Sequence, residues 1–128
     1  MKRFTVIALV LLSAFVFVAG AAAADREAIK SQVDEIVVAI NEGKSPAEFK
    51  DAAQKDPYVF IMEQDGQMVV HPTLEGKNLK ESAAPVYEEL SKATAEGVWV
   101  DYEWQGQKKH SYVREAKGEM IVGSGYNE

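Results

Sequence analysis

The sequence predicts an α+β fold: one antiparallel sheet with helices packed on one side. Three observations carry this. Ile29, Val33, Ile36, Val37 and Ile40 form an apolar stripe of helical period near the start of the chain. The second half switches to the two-residue alternation of strands, clearest from Val98 to Trp104. Short Gly-containing turns separate those strands, and turns that short force neighbours to pair antiparallel.

The first segment is read as an export signal. Met1-Lys2-Arg3 is positive, Phe4 to Gly20 is apolar save Thr5 and Ser13, and Ala21 to Ala24 are small. Charged sequence starts at Asp25. That order is a signal peptide's. Cleavage is expected after Ala24, with Ala23 and Ala22 as neighbouring alternatives. The other reading is an uncleaved anchor, because the apolar run lies between an h-region and a span of roughly 20 residues. The Ala-rich exit favours cleavage. The expected division is residues 1–24 as signal peptide and residues 25–128 as one domain, in the periplasm or secreted. The chain has no cysteine, so lipid attachment, disulfides and thiol chemistry are excluded.

The remaining elements follow in order. The Ile29–Ile40 stripe is the long helix, ended by Asn41-Glu42-Gly43. Ser45, Pro46 and Glu48 make a capping box with proline at the first helical position, so a second helix is expected to about Gln54. Tyr58 to Met62 is β-prone, and Asp65-Gly66 predicts a two-residue hairpin turn with positive φ at both positions. Met68 to His71 returns, and Pro72 stops the ladder. Thr73 to Lys80 reads as loop. A helix is expected from about Ala84 to Glu96, with Gly97 as its terminating residue. Val98 to Trp104, Lys109 or Ser111 to Glu115, and Met120 to Tyr126 are the last strands, turned at Gln105-Gly106 and Lys117-Gly118.

Removing residues 1–24 leaves about 104 of the 128 residues, enough for one modest core. Taking Lys2 and Arg3 from the 14 basic residues leaves 12 against 20 acidic, a net charge of about −8. Such a surface, with no basic cluster, argues against nucleic acid and anionic membranes as partners.

Catalytic and metal constellations are sparse. His71 and His110 are the only histidines, and metal sites usually need three or four ligands. Gly123-Ser124-Gly125 lies inside a strand and is no nucleophile elbow. No glycine-rich loop precedes a helix at phosphate-binding spacing. No metal, cofactor or enzymatic activity is expected. The aromatic residues Tyr58, Phe60, Tyr87, Trp99, Tyr102, Trp104, Tyr112 and Tyr126 serve either core packing or the wall of a small-ligand pocket. Tyr102 and Trp104 share a strand face and can form one wall. His71, Lys109, His110 and Arg114 are the polar candidates. A cationic pocket in an acidic protein points to an anionic ligand.

Taken in series, several segments resemble a known family. They are Tyr58 to Met62 with Asp65-Gly66, Val70-His71-Pro72, Glu75 to Leu79, Gly97 to Trp104, Lys109 to Val113, and Ile121 to Tyr126. This order resembles the single Cache domains, extracytoplasmic sensor modules. The resemblance implies a PAS-like fold, a long N-terminal helix on a five-stranded antiparallel sheet. It also implies a pocket for a small organic anion, such as a short carboxylate or an amino acid. His71 and Lys109 are its implied ligand contacts, with Tyr102, Trp104 and Tyr112 as walls. Val69 and Val70 stand where some carboxylate binders carry another basic residue, and the Trp104–Lys109 hairpin is short. Lys109 and Tyr112 are three apart, so a regular strand points them to opposite faces unless Lys109 lies in the turn or a bulge intervenes. Receptors with this domain continue into a transmembrane helix, whereas this sequence ends at Glu128. A stand-alone periplasmic form is therefore expected, acting as a binding protein or passing its state to a membrane sensor. The alternative is a module that docks on a membrane sensor or envelope protein without a ligand of its own.

Overall fold

The computed structural model describes residues 21–128, with side chains from Arg26. The expected signal peptide lies outside them except for Ala21–Ala24. Helix α1 spans Ala21–Asn41, and Ile29, Val33, Ile36, Val37 and Ile40 are all buried, as the helical stripe requires. Pro46–Gln54 forms a 3₁₀ helix that opens with the full capping box: Ser45 accepts from Ala47, and Glu48 reaches back to the Ser45 backbone. Strands β1 (Val59–Glu63), β2 (Met68–Val70), β3 (Val98–Trp104), β4 (Gln107–Ala116) and β5 (Met120–Asn127) follow, with short helices α2 (Leu79–Ser82) and α3 (Ala84–Leu90) before β3. The strands form one antiparallel sheet in the order β2-β1-β5-β4-β3.

Strand alternation gives the sheet two apolar faces. Val59, Ile61, Tyr112 and Val122 pack against α1, with Trp99 and Tyr126 beside them. Phe60, Met62, Val100, Val113 and Ile121 pack against Leu79, Val86 and Leu90 from α2 and α3. Helices on one side only was therefore half the arrangement. The second face is equally apolar and needs its own cover.

Three boundaries differ from the sequence reading, each for a tertiary reason. The first hairpin has a three-residue loop, Gln64-Asp65-Gly66, closed by Glu63 N–H to Gln67 O at 2.8 Å. Only Gly66 takes positive φ, at 102°. Helix α2 lies where a loop was expected: Asn78 caps it, and Leu79 N–H bonds the Gly66 carbonyl at 2.7 Å. Helix α3 stops at Leu90 rather than Glu96, because Thr94 is drawn into a parallel bridge with Arg114. The β3–β4 turn holds as read, a two-residue turn with Gln105 at φ 53° and Gly106 at φ 79°.

Candidate functional site

The candidate site sits between the second sheet face and the α2–α3 cover. Its polar residues arrive from three places. His71 immediately follows β2, Tyr58 immediately precedes β1, and Tyr102, Trp104 and Lys109 face inward from the β3–β4 hairpin. The β3–β4 ladder is regular from Val98↔Val113 to Trp104↔Gln107, with Tyr102 opposite Lys109. No bulge intervenes, so Val98, Val100, Tyr102 and Trp104 share a face with Lys109, Ser111 and Val113.

His71 is 7% exposed, and its orientation is fixed by its own turn. Nδ1 accepts the backbone N–H groups of Thr73 at 3.0 Å and Leu74 at 3.1 Å. A nitrogen that accepts two N–H bonds carries no proton, so the imidazole proton resides on Nε2. Burial, and then the Lys109 ammonium, pushes the imidazole down to about 4. His71 is thus a neutral donor at physiological pH, not a cation. Its ring meets Tyr58 edge-on at 5.2 Å and Trp104 at 6.1 Å.

Lys109 is 4% exposed. Its ammonium donates to the Tyr58 hydroxyl at 2.7 Å and lies 4.1 Å from the Tyr58 ring centroid. Among the described residues it has no carboxylate partner within ion-pair distance. Burial alone lowers it from 10.5 to about 8, so it remains largely charged at neutral pH. Tyr102 shares a hydrogen bond with Ser111 at 2.8 Å, and burial pushes both the Tyr102 and Tyr58 phenols up, keeping them protonated. Apolar walls come from Phe60, Leu79, Val86 and Leu90.

The structure therefore brings His71, Lys109, Tyr102 and Trp104 to one region. Tyr112 is placed elsewhere. It is buried on the opposite face, against α1, with its hydroxyl 3.0 Å from the Glu96 carbonyl and 3.2 Å from Asp34 Oδ1. The three-residue spacing from Lys109 on an unbroken strand dictates this. Arg114 shares that face, bonding Asp34 at 3.0 Å and the Ala95 carbonyl at 2.8 Å. His110 also points there, paired with Asp101. Tyr58, in the sequence one of eight aromatic residues for core or pocket wall and not among the implied site residues, joins this region. Its signal was strand parity, since it shares alternation with Phe60 and Met62 on the site's face.

Residues 4–125 match the family described as Single Cache domain 2. The chain belongs to that family. This Cache domain is a small-molecule sensor domain of the extracytoplasmic type. It is similar in structure to the ligand-binding domain of Mlp24 with asparagine, at 15% identity and TM-score 0.44, with 66% of this chain covered. The Cache domain spans 35% of the length of that chain. It is also similar to the PAS domain from Bordetella pertussis BvgS, at 16% identity and TM-score 0.35, covering 54% of this chain and 70% of that one. A search of curated proteins finds no match. Among the described residues no helix is long and apolar enough to cross a membrane, and no group of three or more His, Asp or Glu is placed to hold a metal ion.

Proposed function

We propose that this Cache domain senses a small organic anion, bound through Lys109, with the neutral side chains of Tyr58, Tyr102 and His71 around the site. One observation carries the reading: Lys109 is a buried ammonium whose only described partner is a phenol. A buried cation without a counter-charge is costly, and natural proteins pair it. An incoming carboxylate supplies the missing charge and a charge-assisted hydrogen bond. The Tyr58 and Tyr102 hydroxyls and the His71 Nε2–H lie around the site as neutral groups, with Asp56 on the rim of the groove that Lys109 lines. A signal peptide cleaved near Ala24 would place the domain in the periplasm, where it passes its state to a membrane sensor. N-terminal sequencing of exported protein tests that part.

A second reading, a docking module without its own ligand, is favoured by the small size of the cavity beside His71. Its free space is ≈ 20 Å³, about one water molecule. Thermal unfolding of the mature domain with a metabolite panel decides between the two. A ligand at a hundred times its dissociation constant adds roughly 2.7 kcal/mol. A flat response across acetate, propionate, lactate, pyruvate and amino acids assigns the docking function and overturns the anion reading.

A further inference from the structure

The two groups expected to hold the ligand do not share one space. His71 lines a small cavity of ≈ 20 Å³ under α2 and α3. Lys109 lines a larger groove of ≈ 340 Å³ between α1, the Asp56–Tyr58 segment and the β3–β4 turn. Tyr58 and Trp104 line both. Tyr58 stands between the two groups in contact terms: its ring centroid is 5.2 Å from the His71 ring and 4.1 Å from the Lys109 ammonium.

We propose that the Tyr58 ring partitions the ligand site, so that binding requires its displacement and its bulk sets the length of ligand accepted. This rests on the anion reading above. The cavity alone is too small for a carboxylate; the groove, walled by Ile29, Pro57, Trp104 and Tyr126 with Lys109 and Asp56, meets it at the shared residues Tyr58 and Trp104. Tyr58 is suited to move. It lies just before β1 and is only half-buried, so turning its side chain breaks no ladder hydrogen bond. Its tether is the hydroxyl's bond to Lys109 at 2.7 Å. A carboxylate competes for that same ammonium and forms the stronger, charge-assisted bond. Capture of the anion therefore releases the ring that blocks the cavity. The carboxylate then rests on Lys109 at the groove floor. The hydrocarbon tail enters the space lined by Phe60, Leu79, Val86 and Leu90, with His71 Nε2–H beside it.

Two measurements test this. The first needs no ligand: carbethoxylation of His71, followed by peptide mapping, in wild type, Tyr58→Phe and Tyr58→Ala. Reactivity follows the population of the open state. Cutting the tether in Tyr58→Phe should speed modification of His71 roughly threefold, and removing the ring in Tyr58→Ala roughly tenfold or more. Equal rates in all three proteins overturn the proposal. If Tyr58→Ala does not fold, Tyr58→Phe decides alone, and an unchanged rate there overturns it. The second measurement is calorimetry with acetate, propionate, butyrate and valerate. Tyr58→Ala should prefer a chain at least one carbon longer than wild type, with affinity rising about fourfold for each added methylene the site can bury. An identical length preference in both proteins overturns the proposal. If no acid binds either protein while the His71 rates still separate, the anion reading fails and the partition stands.

Discussion

Lys109→Met should stabilise the ligand-free domain while abolishing most of its anion affinity. The ammonium falls from 10.5 to about 8 because it is buried. That gap corresponds to about 3 kcal/mol of unfavourable charging at about 1.4 kcal/mol per pH unit. The variant loses the hydrogen bond to Tyr58, which offsets about 1 kcal/mol. Met fills a similar volume, so the net gain is about 2 kcal/mol at pH 7, or roughly 8 °C in Tm for a domain of this size. The pH dependence gives the sign a second check. Below pH 8 both folded and unfolded chains carry the charge, and the penalty is fully present. Between pH 8 and 10.5 the unfolded chain binds more protons, so wild-type stability rises with pH. The gap between variant and wild type should therefore close across that window, as read by thermal unfolding at each pH. Binding by calorimetry should weaken by roughly 1.5–3 kcal/mol in the variant. In wild type it should weaken about tenfold from pH 7 to pH 9, as the ammonium deprotonates through about 8. A variant less stable than wild type at pH 7, or a gap that persists at pH 10.5, refutes the buried-cation argument.

Other expectations follow from the same geometry. His71 is held at about 4 against an ordinary 6.5, so wild type should lose about 3 kcal/mol as pH falls from 6.5 to 4, and His71→Gln should lack that loss in acid unfolding curves. Gly66→Val should cost about 2–3 kcal/mol in denaturant titration. Gly66 sits at φ 102°, and an added Cβ would meet Asn78 Oδ1 at 2.7 Å and the Lys80 nitrogen at 2.9 Å. Tyr112→Phe should cost about 1 kcal/mol of stability through its lost hydroxyl bonds and leave anion affinity unchanged. A loss of affinity there would return Tyr112 to the ligand site.

Much of the fold was legible because its signals are local. The Ser45–Glu48 capping box, the α1 stripe and the Gln105-Gly106 turn each depend on residues within a few positions of one another. The illegible parts depend on distant partners. Nothing in Ala84 to Glu96 reveals that Thr94 will bridge Arg114, or that the Glu115 N–H will bond the Thr94 carbonyl at 2.8 Å. The Asp65-Gly66 loop length was hidden for a similar reason, since α2 docks on the Gly66 carbonyl. At the candidate site, His71 and Lys109 were expected from the family resemblance, and strand parity already separated Lys109 from Tyr112. Tyr58 was not, because its importance lies in a sandwich between residues 13 and 51 positions away.

Strand β4 has a consequence for how such a protein diversifies. Lys109, Ser111 and Val113 face the candidate site, while Tyr112 and Arg114 bond Asp34 of α1 from the opposite face. One uninterrupted stretch of sequence thus encodes two jobs in interleaved positions. Alternate codons can drift toward a new ligand while those between them hold α1 in place. A library randomised at Tyr102, Lys109 and Ser111 alone leaves the Tyr112 and Arg114 bonds to Asp34 of α1 in place, so chemical taste can be exchanged without rebuilding the frame that carries it.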